Sequence, residues 1–158
     1  MAMRSVETLV ELFRQRGLRI TPQRRRIFDL LVGDASHPTA EEVYQRVHQT
    51  MPDISRMTVY NTLHELVSMG ELAEVEEAVA EGTRYDTNAA SHHHLFCLRC
   101  HAIVDIAHDF GGLDMALSEA SGYQIVRRQV TLYGYCPSCR QEEGADAAES
   151  GERVTPKG

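Results

Sequence analysis

The 158-residue chain has no tryptophan and few aromatic residues, 6% in all. Any core must therefore be built mostly from Leu, Val and Ile. No apolar run approaches the roughly 18 residues that a membrane span needs, and no apolar signal segment follows the first methionine. The expectation is a cytoplasmic protein with no membrane partner. There is no basic surplus: the net charge is −7, which excludes binding to nucleic acid by bulk charge alone. There is no cysteine beyond Cys97, Cys100, Cys136 and Cys139, so none is left over as an obvious nucleophile. His-x-Glu, the partner motif of zinc deaminases, does not occur, and the βαβ context with the motif at a helix start that thioredoxin-type Cys-x-x-Cys chemistry wants is not apparent.

What is present is a pair of Cys-x-x-Cys turns. In a cytoplasmic chain such pairs bind metal more often than they form disulfides. Each turn offers two sulfurs to one ion, and two turns close a tetrahedral shell at about 2.3 Å. With all four positions filled by protein, the site is expected to hold a structural zinc and to do no catalysis. The 35 residues between Cys100 and Cys136 mean that the metal joins distant strands. In small peptides such sites supply roughly 10–16 kcal/mol of apparent folding free energy.

The first seventy residues are punctuated as four short helices. Val6, Leu9, Val10, Leu12 and Phe13 recur at helical spacing before Gly17. Thr21-Pro22 is an N-cap followed by proline, opening a helix with Ile27, Phe28, Leu30 and Leu31 on one face. Thr39-x-x-Glu42 is a capping box ahead of Val43, Tyr44 and Val47. Ser55 caps a fourth helix that ends at Gly70. After Gly70 the period shifts to two strands, Leu72 to Glu77 and Thr83 to Thr87, with Gly82 in the turn. This succession predicts an α+β chain: an N-terminal winged helix-turn-helix domain, then a small α/β dimerisation domain. The expected boundaries are 1–87 for the winged helix, 88–92 for a hinge, 93–140 for dimerisation and metal binding, and 141–158 for a disordered tail. The second module is expected to hold strands at Leu95–Leu98, Ala102–Ala107 and Tyr123–Tyr135, with a helix near Leu113–Ala120. Its apolar content is low, so metal and dimerisation should support it.

Upstream of the first cysteine pair runs Ser91-His92-His93-His94, flanked by Asp86 and Asp105. In a strand His92 and His94 point to one side and His93 to the other. Mixed imidazole and carboxylate donors suit Fe(II), Mn(II) or zinc. The charge is also uneven: Arg14, Arg16, Arg19, Arg24, Arg25 and Arg26 fall in one stretch without a carboxylate. Arg56, Thr58, Tyr60 and Asn61 lie at the start of the fourth helix, where side chains reach base edges. Met57, Met69 and Met115 are expected to pack. His48, His64, His101 and His108 are expected at the surface, and Tyr123, Tyr133 and Tyr135 along a last strand at a dimer interface.

His37-Pro38-Thr39-Ala40, Thr58-Val59-Tyr60 and His-x-His-x-x-Cys-x-x-Cys together resemble the ferric uptake regulator (Fur) superfamily, from about Val6 to Cys139. The resemblance implies a homodimeric winged-helix repressor that is not an enzyme and binds an A·T-rich, palindromic double-stranded operator. It maps the regulatory metal, Fe(II) or Mn(II), onto His37, Asp86, His92, His94 and Asp105, and a minor-groove contact onto Arg19. Asp105 in place of Glu, and Asn61 in place of Arg, resemble the peroxide-responsive PerR group. That resemblance nominates His37 and His92 as the imidazoles oxidised by hydrogen peroxide. Members that sense Fe, Mn or Zn availability without ligand oxidation are the alternative, and a zinc-dependent enzyme is the reading from a different class.

Overall fold

The computed structural model describes residues 3–75, 82–108, 110, 121–126 and 128–141. The chain divides into two compact units, the first ending at Ala90 and the second beginning at Ser91. No described helix is long and apolar enough to cross a membrane.

The first unit holds four helices, α1 (Val6–Gln15), α2 (Pro22–Leu31), α3 (Ala40–His48) and α4 (Arg56–Ser68), then a hairpin of β1 (Ala73–Val75) and β2 (Arg84–Asp86). Each helix begins where a hydroxyl can satisfy an otherwise orphaned backbone N–H. Ser5, Thr21, Thr39 and Ser55 accept from Thr8, Arg24, Glu42 and Thr58 respectively. At α3 the exchange is reciprocal, with the Thr39 N–H donating to Glu42 Oε2 at 2.6 Å. Gly17 and Gly70 follow α1 and α4 in the left-handed conformation, φ +72° and +71°, where a Cβ would be strained. The apolar faces of the helices meet in one core that includes Leu9, Phe13, Phe28, Val43, Leu63 and Leu66. Phe13 meets Phe28 edge-on at 4.9 Å.

β1 and β2 pair antiparallel, Ala73 opposite Asp86. The hairpin is stitched to the start of α3, because the Tyr85 N–H donates to the Pro38 carbonyl at 3.0 Å and Thr39 bridges to Arg84. The second unit holds a three-stranded sheet in the order β4 (Ile103–Ile106), β3 (His93–Cys97), β5 (Thr131–Gly134). β3 runs antiparallel to β4, with His94 opposite Asp105, and parallel to β5, with Leu95 opposite Leu132. A helical stretch at 137–141 follows β5.

Several expectations change. The strand at Tyr123–Tyr135 is confined to β5, because its partner β3 offers only five residues to pair with; Tyr123 and Tyr135 lie outside it, and only Tyr133 falls within it. Met57 is not packed: it is 66% exposed, while Met69 does pack on the core. His48 is half-buried and stacks on Tyr44, and His101 is half-buried and stacks on Phe96. The helix near Leu113–Ala120, Met115, the end of the first hairpin strand at 76–77 and the tail from 142 onward lie outside the described residues.

Candidate metal centres and nucleic-acid surface

The four cysteines converge in the second unit. One Sγ from each lies within 4.8 Å of the others, and all four are thiols, not disulfides. Cys100 Sγ and Cys136 Sγ are 3.7 Å apart. A tetrahedron with arms of about 2.3 Å puts its sulfurs about 3.8 Å apart, so the spacing fits a tetrathiolate ion. The electrostatics point the same way. Backbone N–H groups of Cys100, Cys136 and Arg99 aimed at Cys97 bring its thiol down to about 6. The neighbouring Cys136 sulfur and burial push Cys139 up to about 12. Four crowded thiolates therefore cannot form together unless a cation offsets their charge, and a dication does so. The donor set suits zinc in a structural role.

A second set of donors sits on β3, on the residue just before it, and on β4 of the same unit. His94 and Asp105 face each other across the ladder. Asp105 Oδ1 lies 3.2 Å from His92 Nε2 and 3.7 Å from His94 Nε2. The two imidazoles meet edge-on at 4.4 Å. A cation with arms of about 2.1 Å holds neighbouring donors about 3.0 Å apart at a right angle and about 3.6 Å apart at about 120°, so separations of 3.2 and 3.7 Å are close to what one ion requires. The Gln129 amide reaches His94 Nδ1 at 3.4 Å; turned to present its oxygen, it accepts from Nδ1–H and leaves Nε2 as the lone pair. His93 takes the opposite side of β3, as strand alternation requires. The Val130 N–H donates to its Nδ1 at 3.1 Å, and its ring meets Phe110 at 4.9 Å. Nδ1 is thus occupied, and Nε2 carries the proton.

The first unit contributes two further donors. His37 and Asp86 are buried, with His37 Nε2 3.6 Å from Asp86 Oδ1. His37 sits at φ +50°, a conformation unusual outside glycine. There its Nδ1–H donates to the Ala35 carbonyl at 3.1 Å. That bond selects the tautomer that leaves the ring's lone pair on Nε2, the arrangement a metal-binding imidazole needs. Arg84 fixes the same turn by donating to the His37 carbonyl at 3.1 Å. Neither Ala35 nor Arg84 is marked by any sequence pattern, because their roles depend on backbone shape.

Three of the five proposed DNA-reading residues share one cleft of the first unit. Arg19, Thr58 and Asn61 line a cleft of about 380 Å³, together with Thr21, Gln23 and Arg24. Tyr60 is 48% exposed on α4. Arg56 is exposed as well, but its guanidinium is already engaged. It donates to both Glu41 carboxylate oxygens at 2.9 Å and lies 4.2 Å above the Tyr44 ring. Sequence reasoning missed this cradle, although Glu41 and Tyr44 are three apart and so share a face of α3. Within the arginine-rich stretch, Arg25 pairs with Glu7 at 3.2 Å and Arg24 donates to the Arg19 carbonyl at 2.8 Å.

The family model described as the ferric uptake regulator family matches residues 15–133. The peroxide-responsive repressor PerR of Staphylococcus epidermidis is 31% identical over 138 residues, 87% of this chain and 91% of that protein. Among solved structures, the Helicobacter pylori ferric uptake regulator aligns with a TM-score of 0.72 at 21% identity, over 89% of this chain and 97% of that one. The PerR structure from Streptococcus pyogenes aligns with a TM-score of 0.50 at 31% identity, over 88% of this chain and 95% of that one.

Proposed function

The chain belongs to the ferric uptake regulator family, and on that premise we propose that it is a homodimeric repressor whose hold on DNA is set by one regulatory cation and released by hydrogen peroxide. At the level of the family it is a metal-dependent transcriptional regulator and not an enzyme. The finer reading assigns His37, Asp86, His92, His94 and Asp105 to a single Fe(II) or Mn(II), and Cys97, Cys100, Cys136 and Cys139 to a structural zinc. Residues 1–87 read DNA, 88–92 form the hinge, 93–140 dimerise and bind metal, and 141–158 are the tail. The observation that carries the reading is the convergence of His92 and His94 on Asp105 Oδ1 at 3.2 and 3.7 Å. Three donors leave a shell incomplete, and the tautomer of His37 supplies the lone pair that extends it.

A cation shared by donors before and after the hinge favours the conformers in which two recognition helices match successive half-sites on the duplex. Arg19, Arg56, Thr58, Tyr60 and Asn61 make the contacts, Asn61 suiting adenine and Thr58 or Tyr60 a thymine methyl, as in an A·T-rich palindrome.

Iron(II), when bound, would activate hydrogen peroxide for cleavage of its O–O bond, the two electrons coming overall from the imidazole that is oxidised. The consequence for the protein lies at His37 or His92. One ring C–H becomes a 2-oxo group, with one peroxide oxygen retained on carbon and the other released as water. The oxidised imidazole is a poorer donor, so the shell opens and the hold on DNA weakens. Asp105 and Asn61 favour this branch. The PerR relative at 31% identity supports it. The test is a DNA mobility shift with Mn(II), Fe(II), and Fe(II) plus peroxide, followed by mass spectrometry. Loss of the complex in the peroxide lane alone, with a gain of about 16 Da on a peptide holding His37 or His92, is expected. Retention of the complex in that lane selects a regulator of metal availability instead.

A further inference from the structure

We propose that Glu41 is a specificity-determining residue: it holds Arg56 at the head of α4 so that the guanidinium reads a guanine instead of grasping phosphates. The inference rests on the DNA-binding reading above and goes beyond it, because Glu41 and a G·C contact have no part in that reading.

The geometry is built from two helices. Glu41 lies in the first turn of α3, where the helix dipole favours a carboxylate. Gln45, one turn on, donates to Glu41 Oε1 at 2.6 Å and fixes the rotamer. Arg56, the first residue of α4, donates through Nε to Oε2 and through Nη2 to Oε1, both at 2.9 Å. The Tyr44 ring backs one face of the guanidinium at 4.2 Å. The hydrogen bonds of Arg56 hold the Glu41 carboxyl below its usual range, so the pair stays charged through the neutral range. Exposed ion pairs of this kind add little to stability. What the cradle supplies is orientation.

A guanidinium has five N–H donors in a planar fork. Glu41 takes the Nε/Nη2 edge, and Tyr44 covers one face. The remaining Nη1/Nη2 edge presents two parallel N–H groups, the pattern that pairs bidentately with O6 and N7 of guanine in the major groove. The neighbouring carboxylate also cancels the charge that would draw Arg56 to any phosphate within reach. An arginine released from it would gain sequence-independent affinity and lose selectivity. Arg56 would then place one G·C pair per half-site in an operator otherwise rich in A·T.

The test is selection of operators from a random duplex pool by the Mn(II)-loaded full chain, run for wild type and for Arg56→Ala, Glu41→Gln and Glu41→Asp. Melting curves should show all three variants folded. Wild type is expected to select a G·C pair at one position in each half-site. Arg56→Ala loses that preference alone, by roughly 5- to 150-fold. Glu41→Gln keeps the arginine but weakens the preference, binds unrelated DNA more tightly and steepens the salt dependence by about one phosphate contact per subunit. Glu41→Asp retains the charge but shortens the reach, so selectivity falls while the salt dependence stays near wild type. A Glu41→Gln variant with the wild-type base preference and salt slope overturns the role of Glu41, and so does an Arg56→Ala variant that selects the same operator. Wild type that selects no operator with Mn(II) bound overturns the DNA-binding reading together with this one.

Discussion

Asp105 carries more of the second unit's donor set than any other side chain, since its Oδ1 is shared between His92 Nε2 and His94 Nε2. Asp105→Asn keeps the size and hydrogen-bonding reach but removes the charge that draws a dication. We expect Mn(II) affinity, measured by titration of metal against a chelating dye, to fall at least about tenfold, by analogy with the loss of metal-site partners. The melting temperature should hardly move, because the side chain is 39% exposed and lies at the sheet surface. Unchanged Mn(II) affinity would remove Asp105 from the site. How far these residues were legible in the sequence varies. Strand alternation alone puts His92 with His94 and sends His93 to the other face. Pairing with Asp105 needed only an antiparallel neighbour across a short turn. The tautomer of His37 was not legible: it depends on a left-handed turn that aims Nδ1 at the Ala35 carbonyl, and nothing in His-Pro-Thr-Ala encodes that bond by itself.

Elements whose signals are local were readable, and those that depend on a partner were not. The capping box of α3 follows from four consecutive positions, and both of its bonds form. Thr39→Ala should therefore cost about 1 kcal/mol, with a range of roughly 0.5–2 for such caps, and a urea titration with unchanged m-value would register it. The same residue bridges to Arg84 of the hairpin, so a cost well below that range would mean that the hairpin, and not the cap, holds the start of α3. The packing expected of Met57 failed for a geometric reason. α4 buries Val59, Thr62, Leu63 and Leu66, one stripe at i, i+3, i+4 and i+7, and a residue two positions before that stripe begins falls about 200° around the helix. Counting apolar residues suggested packing where counting angles gives exposure. The last strand was overextended because apolar alternation continues past the point where β3 can pair with it. Strand length is set by the shorter partner, which lies some thirty residues upstream.

At the scale of the molecule, the charge balance hid the function while the local patterns disclosed it. A net −7 coexists with a six-arginine stretch in the first unit and an acidic C-terminal segment. The cores are unequal as well. Among the described residues the first unit buries an extended apolar cluster, whereas the only apolar residues buried in the second are Cys97, Ile103 and Cys139, beside the imidazoles of His93 and His94. A small sheet with so thin a core needs further burial, and the family is dimeric. The register shows where that burial can come from. Val104, Leu95 and Leu132 stand in one row across β4, β3 and β5, on one face, and are 56%, 46% and 43% exposed. A two-fold interface on this row would set each residue against its own copy or a neighbour, so a single charge placed there enters twice. Leu95→Glu, at the centre, should shift the protein from dimer to monomer in sedimentation velocity at micromolar concentration. It should leave zinc content near one ion per chain, because Leu95 offers no metal donor and all four cysteines are retained, and should lower operator affinity by at least about a hundredfold, since half-sites would be bound singly. A Leu95→Glu protein that remains dimeric and binds the operator as wild type does would move the interface off this face, and the thin core of the second unit would then need a different cover.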